Sequence, residues 1–237
     1  MQVGASLTAL GQHLEAIGAT VSLDVTQTQA SPSVIELGYY TLVTDADFSR
    51  YDEIGYRLAA YGRWQMGESR WFVQPELAYT ASRGQRYAIL YYPSTTTSLG
   101  PNEEGIAHRL HRGEVAALAG LHTGRRTYLL AGPVLAVNQR QQAGSGYHLS
   151  DLYNSLYQSV ERVHVLGQVG VGFVAGRFDF QLRYERSLTP YSRRFTYAGT
   201  THGYRQEIWQ GLFTAGFLLH KRPQPSAESP HDYRGTR

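Results

Sequence analysis

Apolar and polar residues alternate along most of the chain with a period of two, which predicts β-strands rather than helices. The clearest case is 177–188, where Phe178, Phe180, Leu182 and Tyr184 alternate with Asp179, Gln181, Arg183 and Glu185. Similar segments of about 9–13 residues, the length of a membrane-crossing strand, cover 34–45, 55–66, 71–82, 110–122, 127–138, 163–174 and 207–219. The pattern predicts about eight strands in an all-β fold.

The connections between these strands alternate in length. Short turns lie at 67–70, 123–126 and 175–176, and long connections lie at 46–54, 83–109, 139–162 and 189–206. Short periplasmic turns and long external loops are typical of outer-membrane barrels. The sequence therefore predicts a closed, antiparallel, up-and-down transmembrane β-barrel over 34–219, located in the bacterial outer membrane.

The two ends of the chain depart from this pattern. For residues 1–33 two interpretations stay open: a short periplasmic helix over 7–17, or extra strands at 2–9 and 20–28 that would make about ten. Residues 220–237 contain Pro223, Pro225 and Pro230 and are predicted to form a disordered periplasmic tail.

The strand faces predict a barrel that is apolar on the outside and polar on the inside, the reverse of a soluble protein. Aromatic residues near strand ends predict two interfacial belts: Trp64 and Trp71 beside the first short turn, and Tyr79, Tyr184 and Trp209 near the opposite ends. The polar faces carry both signs of charge: Arg57, Arg63, Arg112 and Arg183, with Glu76, Glu114, Asp179 and Glu185. Side chains fill the interior of so small a barrel, so these charges must pair there.

The first short turn gives a specific register. If Met66 opposes Trp71, then Arg63 opposes Gln74 and lies diagonal to Glu76, within reach of a long side chain. The alternative to the membrane barrel is a soluble barrel, in which the apolar face points inward.

Composition narrows the function classes. The absence of cysteine excludes a disulfide scaffold, a thiolate metal site and a cysteine nucleophile. The formal net charge of +3 is too small to indicate a nucleic-acid binder. No stretch approaches the roughly 20 apolar residues of a membrane-spanning helix.

The chain resembles the PorT-like outer-membrane β-barrel domain proteins of Bacteroidetes-type bacteria. The resemblance rests on 72–79 (FVQPELAY), 128–133 (YLLAGP), 182–184 (LRY) and 211–217 (GLFTAGF), and it covers 34–219. It implies a small outer-membrane barrel without defined catalytic residues. PorT itself is linked to protein secretion across the outer membrane, so the resemblance implies an association with secretion and with an envelope protein complex.

Three candidate chemistries were weighed. Gly170, Gly172 and Ala175 match a dinucleotide fingerprint, but an alternating strand follows where a helix is required. The segment 147–151 (YHLSD) offers Ser, His and Asp in one loop, yet sequence neighbours rarely converge as a triad. The nine histidines include no HExxH pattern. We therefore expect no enzyme activity, no cofactor and no metal.

We expect function to reside in the external loops, because binding residues concentrate on loops held by a rigid scaffold. The contact candidates are Tyr91, Tyr92, Tyr147, Tyr153, Tyr157, Arg193 and Arg194, the arginines facing lipopolysaccharide phosphates. The expected role is a non-enzymatic docking component of an envelope complex or a binder of a surface ligand. The alternatives are a narrow channel, a lipid-modifying enzyme and a soluble ligand-binding barrel.

Overall fold

The computed structural model describes residues 14–38, 40–43, 54–91, 102–139 and 149–221. The strands are β1 (Leu14–Ser31), β2 (Val34–Leu37), β3 (Tyr40–Val43), β4 (Ile54–Gln65), β5 (Trp71–Tyr91), β6 (Asn102–His122), β7 (Thr127–Asn138), β8 (Val163–Ala175), β9 (Phe178–Ser187), β10 (Ser192–Tyr197) and β11 (Thr200–Lys221). A helix, α1 (Ser150–Gln158), lies between β7 and β8. No helix among the described residues is long and apolar enough to cross a membrane.

Eight strands close into an antiparallel ring, which confirms the predicted fold class. Going around the ring, the order is β1, β4, β5, β6, β7, β8, β9 and β11, and β11 pairs back onto β1. The predicted register of the first short turn is confirmed, since the Met66 amide donates to the Trp71 carbonyl at 2.9 Å and Trp64 pairs with Val73.

The first strand of the ring was predicted incorrectly. The first strand is β1, which contains the segment 20–28 that one interpretation of residues 1–33 predicts to be an extra strand, and 34–45 is not part of the ring. In β1 the residues Val21, Leu23 and Val25 face outward and Ser22 and Asp24 face inward. Within the described residues the ring thus begins at Leu14. The helix that the other interpretation places over 7–17 is excluded for 14–17, while 7–13 lie outside the described residues.

Residues 34–45 instead contribute a short hairpin outside the ring. Gly38 adopts a positive φ of 73° between β2 and β3, which breaks the predicted strand. The hairpin pairs with the outer extension of β5, where Tyr40 aligns with Tyr91. This extension and its continuation in β6 occupy much of 83–109, which the sequence pattern had assigned to a loop. Residues 220–221 end β11, and the rest of the predicted tail lies outside the described residues.

The barrel is apolar outside and charged inside. On β9, Leu182 has 60% of its surface exposed, whereas Arg183 beside it has 2%. The same alternation runs through β4, where Leu58 faces out and Arg57 faces in. At about 3.3 Å per residue and a tilt of about 40°, the 10 residues of β9 span about 25 Å, the height of the apolar band of a membrane barrel. The exposed surface is therefore a lipid-facing surface.

Glycines on the inner face make room for aromatic rings in this narrow interior. A Cβ at Gly172 would lie 2.1 Å from Cζ of Tyr128, and one at Gly120 would lie 2.0 Å from Cζ of Phe72. Both rings fill the periplasmic end of the barrel and are buried. The glycine pattern in β8 thus serves packing within a strand.

Replacing Gly172 should therefore destabilise the barrel. We expect Gly172→Ala to lower the free energy of unfolding by about 1–3 kcal/mol, the cost of overpacking a filled core. Gly113→Ala is the matched control, because a Cβ there meets nothing within 4 Å. Urea unfolding from lipid vesicles, followed by the mobility shift of unboiled protein on a gel, measures both. Equal stability of the two variants would contradict the packing.

Candidate functional site

Asp179 organises the periplasmic half of the interior. Its carboxylate accepts hydrogen bonds from the hydroxyls of Tyr61 and Tyr128, both at 2.5 Å, and from Nη2 of Arg63 at 3.1 Å. The guanidinium carbon of Arg63 also lies 4.2 Å from the ring centre of Tyr128 and 4.7 Å from that of Phe72. This arrangement neutralises a buried charge with both ionic and cation–π contacts.

Glu76 and Glu114 join the central and outer parts of the interior. Arg57 bridges them, with Nη1 lying 2.7 Å from Oε1 of Glu76 and Nε donating to Oε2 of Glu114 at 2.8 Å. Arg183 donates to both oxygens of Glu76, at 3.0 and 2.9 Å. A bidentate pair of this kind fixes geometry as well as charge.

Arg112 completes these contacts towards the outer end. It contacts Glu114 and Gln210, and its Nη2 lies 3.3 Å from Oε2 of Glu185. Gln210 in turn donates to Asp24 at 3.0 Å. We call the buried set Asp24, Arg57, Arg63, Glu76, Arg112, Glu114, Asp179, Arg183 and Glu185 the interior network.

The structure places all eight sequence-predicted interior charges in this network, but one expected pair does not form. Arg63 donates to Gln74 at 2.8 Å, as the register requires, yet its carboxylate partner is Asp179 and not Glu76. Glu76 is taken by Arg57 and Arg183. The local hairpin register placed Arg63 near Glu76 but carried no information on β9, which approaches across the lumen.

Sequence reasoning missed several members of the interior. Asp24 was not predicted because β1 was not assigned to the ring. Tyr61 and Tyr128 were not predicted because an aromatic residue on a polar face was not considered as a hydrogen-bond donor. The alternation in 20–26 (TVSLDVT) was the available signal for Asp24.

The outer end of the barrel carries a folded cap. Its apolar cluster draws residues from β1, the β2–β3 hairpin, α1, β10 and β11: Ala30, Ile35, Leu37, Leu42, Leu149, Leu152, Tyr153, Leu156, Phe195 and Tyr204. These segments belong to connections on opposite sides of the ring, so their packing closes over the outer mouth. Tyr191 lies beneath them, with its ring 5.5 Å from that of His164, and burial raises the pKa of its hydroxyl.

A polar crevice of about 430 Å³ opens on this cap. It is lined by Ser155, Gln158 and Ser159 of α1 and the residue following it, and by Arg194, Phe195, Thr196 and Thr201 of the β10–β11 hairpin. Its volume falls within the roughly 300–1,000 Å³ of small-molecule sites. Arg194 is exposed and forms no ion pair with another described residue, so its guanidinium is available to a ligand.

The predicted loop-contact residues divide into three groups. Arg193 and Arg194 are exposed, and Arg193 lies 3.4 Å from Glu161. Tyr153 is buried in the cap, so the prediction that it offers contact area was wrong, and Tyr157 is half-buried against the same cluster. Tyr92 and Tyr147 lie outside the described residues, as does the side chain of Tyr91.

The predicted belt residues lie on the outer surface of the barrel. Trp71, Tyr79 and Tyr184 are exposed, and Trp64 and Trp209 are half-buried. Trp64 and Trp71 flank the first short turn. The Tyr79 hydroxyl is 2.9 Å from Nδ1 of His111. Residues 150–151 of the weighed catalytic segment lie in α1, and His148 is outside the described residues.

The closed ring, its apolar outer band and its buried ion pairs define an integral outer-membrane β-barrel protein. An even number of strands, short turns at one end and long connections at the other are the features of bacterial barrels of this class. Both described chain ends, Leu14 and Lys221, lie at the short-turn end, which is the periplasmic end.

Comparison with solved structures finds proteins of similar chain course. Neisserial surface protein A is 12% identical, with 86% of this chain and 96% of that one covered and a TM-score of 0.44. OprG of Pseudomonas aeruginosa is 9% identical, with 88% and 98% covered and a TM-score of 0.40. Ail of Yersinia pestis is 14% identical, with 85% and 99% covered and a TM-score of 0.37. No protein-family model and no curated protein matches the chain, so the PorT-like resemblance stays a prediction.

The interior network should couple strongly between strands. We expect Arg183→Gln and Glu76→Gln each to lower the free energy of unfolding by about 3–5 kcal/mol, because each breaks the buried bidentate pair and removes an opposite charge that neutralises the partner. The double variant should lose less than the sum of the two. Urea unfolding of the double-mutant cycle measures this coupling.

The exposed pair Arg193 and Glu161 is the matched control for this cycle. Its coupling should be about 0–1 kcal/mol, as for solvent-exposed ion pairs. If Arg183 and Glu76 coupled no more strongly than this pair, the interior would be hydrated and the network would not be tight.

Proposed function

We propose that this protein is a non-conducting, non-enzymatic outer-membrane barrel that binds an anionic saccharide in the polar crevice of its cap. The single observation that carries the proposal is the crevice itself, in which the guanidinium of Arg194, unpaired with any described carboxylate, stands beside hydroxyl and amide groups. The finer roles implied by the PorT-like resemblance, secretion and membership of an envelope complex, have no comparable site among the described residues.

The filled interior favours binding over transport. The interior network crosses the lumen at several levels, from Asp179 near the periplasmic end to Asp24 and Gln210 near the outer end. The cap packs apolar side chains over the same lumen. In a narrow channel, these charges would line a water-filled pore instead of pairing with each other.

The chemistry of the crevice favours a sugar that carries phosphate or sulfate. A guanidinium binds these groups through paired hydrogen bonds. The hydroxyl of Ser155 and the amide of Gln158 stand on the α1 side and can bind sugar hydroxyls. Two sources share this chemistry: the phosphorylated core of lipopolysaccharide and sulfated glycans at a host surface.

Binding to the crevice can be measured with protein folded in detergent micelles. The probes are fluorescein-labelled heparin fragments and, separately, deacylated lipopolysaccharide core oligosaccharide, which distinguish the two sources. Removing a charge-assisted hydrogen bond costs about 1.5–3 kcal/mol, so we expect Arg194→Gln to raise the Kd of the bound probe by about ten-fold or more.

Arg193→Gln is the neighbouring control, because Arg193 is engaged with Glu161 and does not line the crevice. It should leave the Kd within about two-fold of the wild type, since the Arg193 side chain makes no contact with a ligand in the crevice. Equal losses in the two variants, or binding of neither probe by the wild-type protein, would overturn the proposal.

Conductance separates this proposal from a channel. In planar bilayers the wild-type protein should give no steady open state at neutral pH, because the interior network and cap fill the lumen. The double variant Arg57→Ala, Arg112→Ala should also give no steady open state, provided that the barrel is folded and the cap is in place. Steady single-channel currents from the wild-type protein would contradict a filled interior.

A further inference from the structure

The periplasmic end of the barrel carries a ring of exposed cations. Each of the three short turns contributes at least one arginine, and the end of β11 contributes a lysine. We call Arg70, Arg125, Arg126, Arg177 and Lys221 the basic rim; all five are exposed. They follow the turns around the whole circumference and are not gathered on one side.

The basic rim has few carboxylate partners among the described residues. Besides Asp179 in the lumen, the described carboxylates at this end are Glu68 and Glu15, and the Glu15 carboxylate lies 3.1 Å from Nε2 of His122 and 4.0 Å from Nη1 of the buried Arg63. None of the four rim arginines forms an ion pair with another described residue. Lys221 donates to the backbone carbonyl of Gly176 at 3.1 Å, which leaves its charge unneutralised.

The outer end of the barrel differs in this respect. There the Glu207 carboxylate lies 3.4 Å from Nη2 of Arg186 and 2.9 Å from Nη2 of Arg205. Nε of Arg193 lies 3.4 Å from Oε1 of Glu161. Among the described residues, three outer arginines thus lie beside a carboxylate and two, Arg162 and Arg194, do not, whereas none of the four rim arginines does.

The height of the basic rim is set by the residues next to it. Trp71, Phe173, Phe178 and Phe217 face outward beside the turns, and each is 41–55% exposed. Large aromatic residues of this kind sit at the boundary between hydrocarbon and headgroups. Because the turns are only a few residues long, the rim guanidinium groups are held at the level of the phosphates.

We propose that the basic rim binds the phosphates of anionic phospholipids, of the phosphatidylglycerol type, in the periplasmic leaflet. Guanidinium pairs with phosphate through two hydrogen bonds, and cations near an anionic membrane surface are attracted to it. The distribution around the circumference favours a lipid annulus over a single acidic protein, which would contact one side of the barrel.

Spin-labelled lipids test this directly. The folded protein is reconstituted in bilayers of phosphatidylethanolamine with phosphatidylglycerol, and the immobilised fraction is measured by electron spin resonance for a spin-labelled form of each lipid. We expect the wild-type protein to immobilise phosphatidylglycerol about two- to five-fold more strongly. The preference should fall as salt is raised.

The test variant combines Arg70→Gln, Arg125→Gln, Arg126→Gln and Arg177→Gln, and should show no preference between the two lipids. The control removes four cations from the outer end, through Arg162→Gln, Arg186→Gln, Arg193→Gln and Arg205→Gln, and should keep the preference. The mobility of unboiled protein on a gel verifies that both variants are folded.

Three outcomes would overturn the proposal. The wild-type protein could show equal affinity for the two lipids. The rim variant could keep the preference, or the outer variant alone could lose it. If the wild-type protein showed no lipid preference but bound immobilised polyglutamate through the rim arginines, an acidic periplasmic protein would be the partner instead.

Discussion

The structure depends on the mutual neutralisation of charges inside a closed ring of eight strands. A barrel of this size is filled by its own side chains, so water cannot solvate an isolated charge there. The four guanidinium groups therefore have to meet carboxylates inside the ring, some on neighbouring strands, as Arg57 meets Glu76, and some across the lumen, as Arg183 meets Glu76 and Arg63 meets Asp179. The outer face has the opposite constraint, because lipid solvates only apolar groups.

The same constraint separates the filled interior from the two ends of the barrel, at which we propose binding. With the lumen filled, the two ends of the barrel are the parts that meet polar partners. The outer end is a packed cap with a polar crevice beside Arg194, and the periplasmic end carries the basic rim. Among the described residues, several outer cations such as Arg205 pair with carboxylates, and none of the four rim arginines does.

The strand faces were predictable from sequence because the alternation is local. The neighbouring residues alone indicate that Leu182 faces outward and Arg183 faces inward. The identity of the first strand was not predictable, because only ring closure distinguishes β1 from the equally apolar segment that forms β2 and β3. The local alternation also could not predict which residues pair across the lumen, as the pairing of Arg63 with Asp179 shows. The crevice escaped prediction because α1 and the β10–β11 hairpin are distant in sequence and meet only in the folded cap.

The central claim is that apolar residues face lipid while charged residues face the lumen. Because the chain has no cysteine, single cysteines at Leu58, Leu77 and Leu182 can each carry a bimane label, with an exposed position on the cap, Thr196, as the reference. In bilayers of brominated lipid we predict strong quenching at the three barrel positions and little at Thr196. Absence of quenching at the barrel positions, in a protein that stays monodisperse without detergent, would contradict the account.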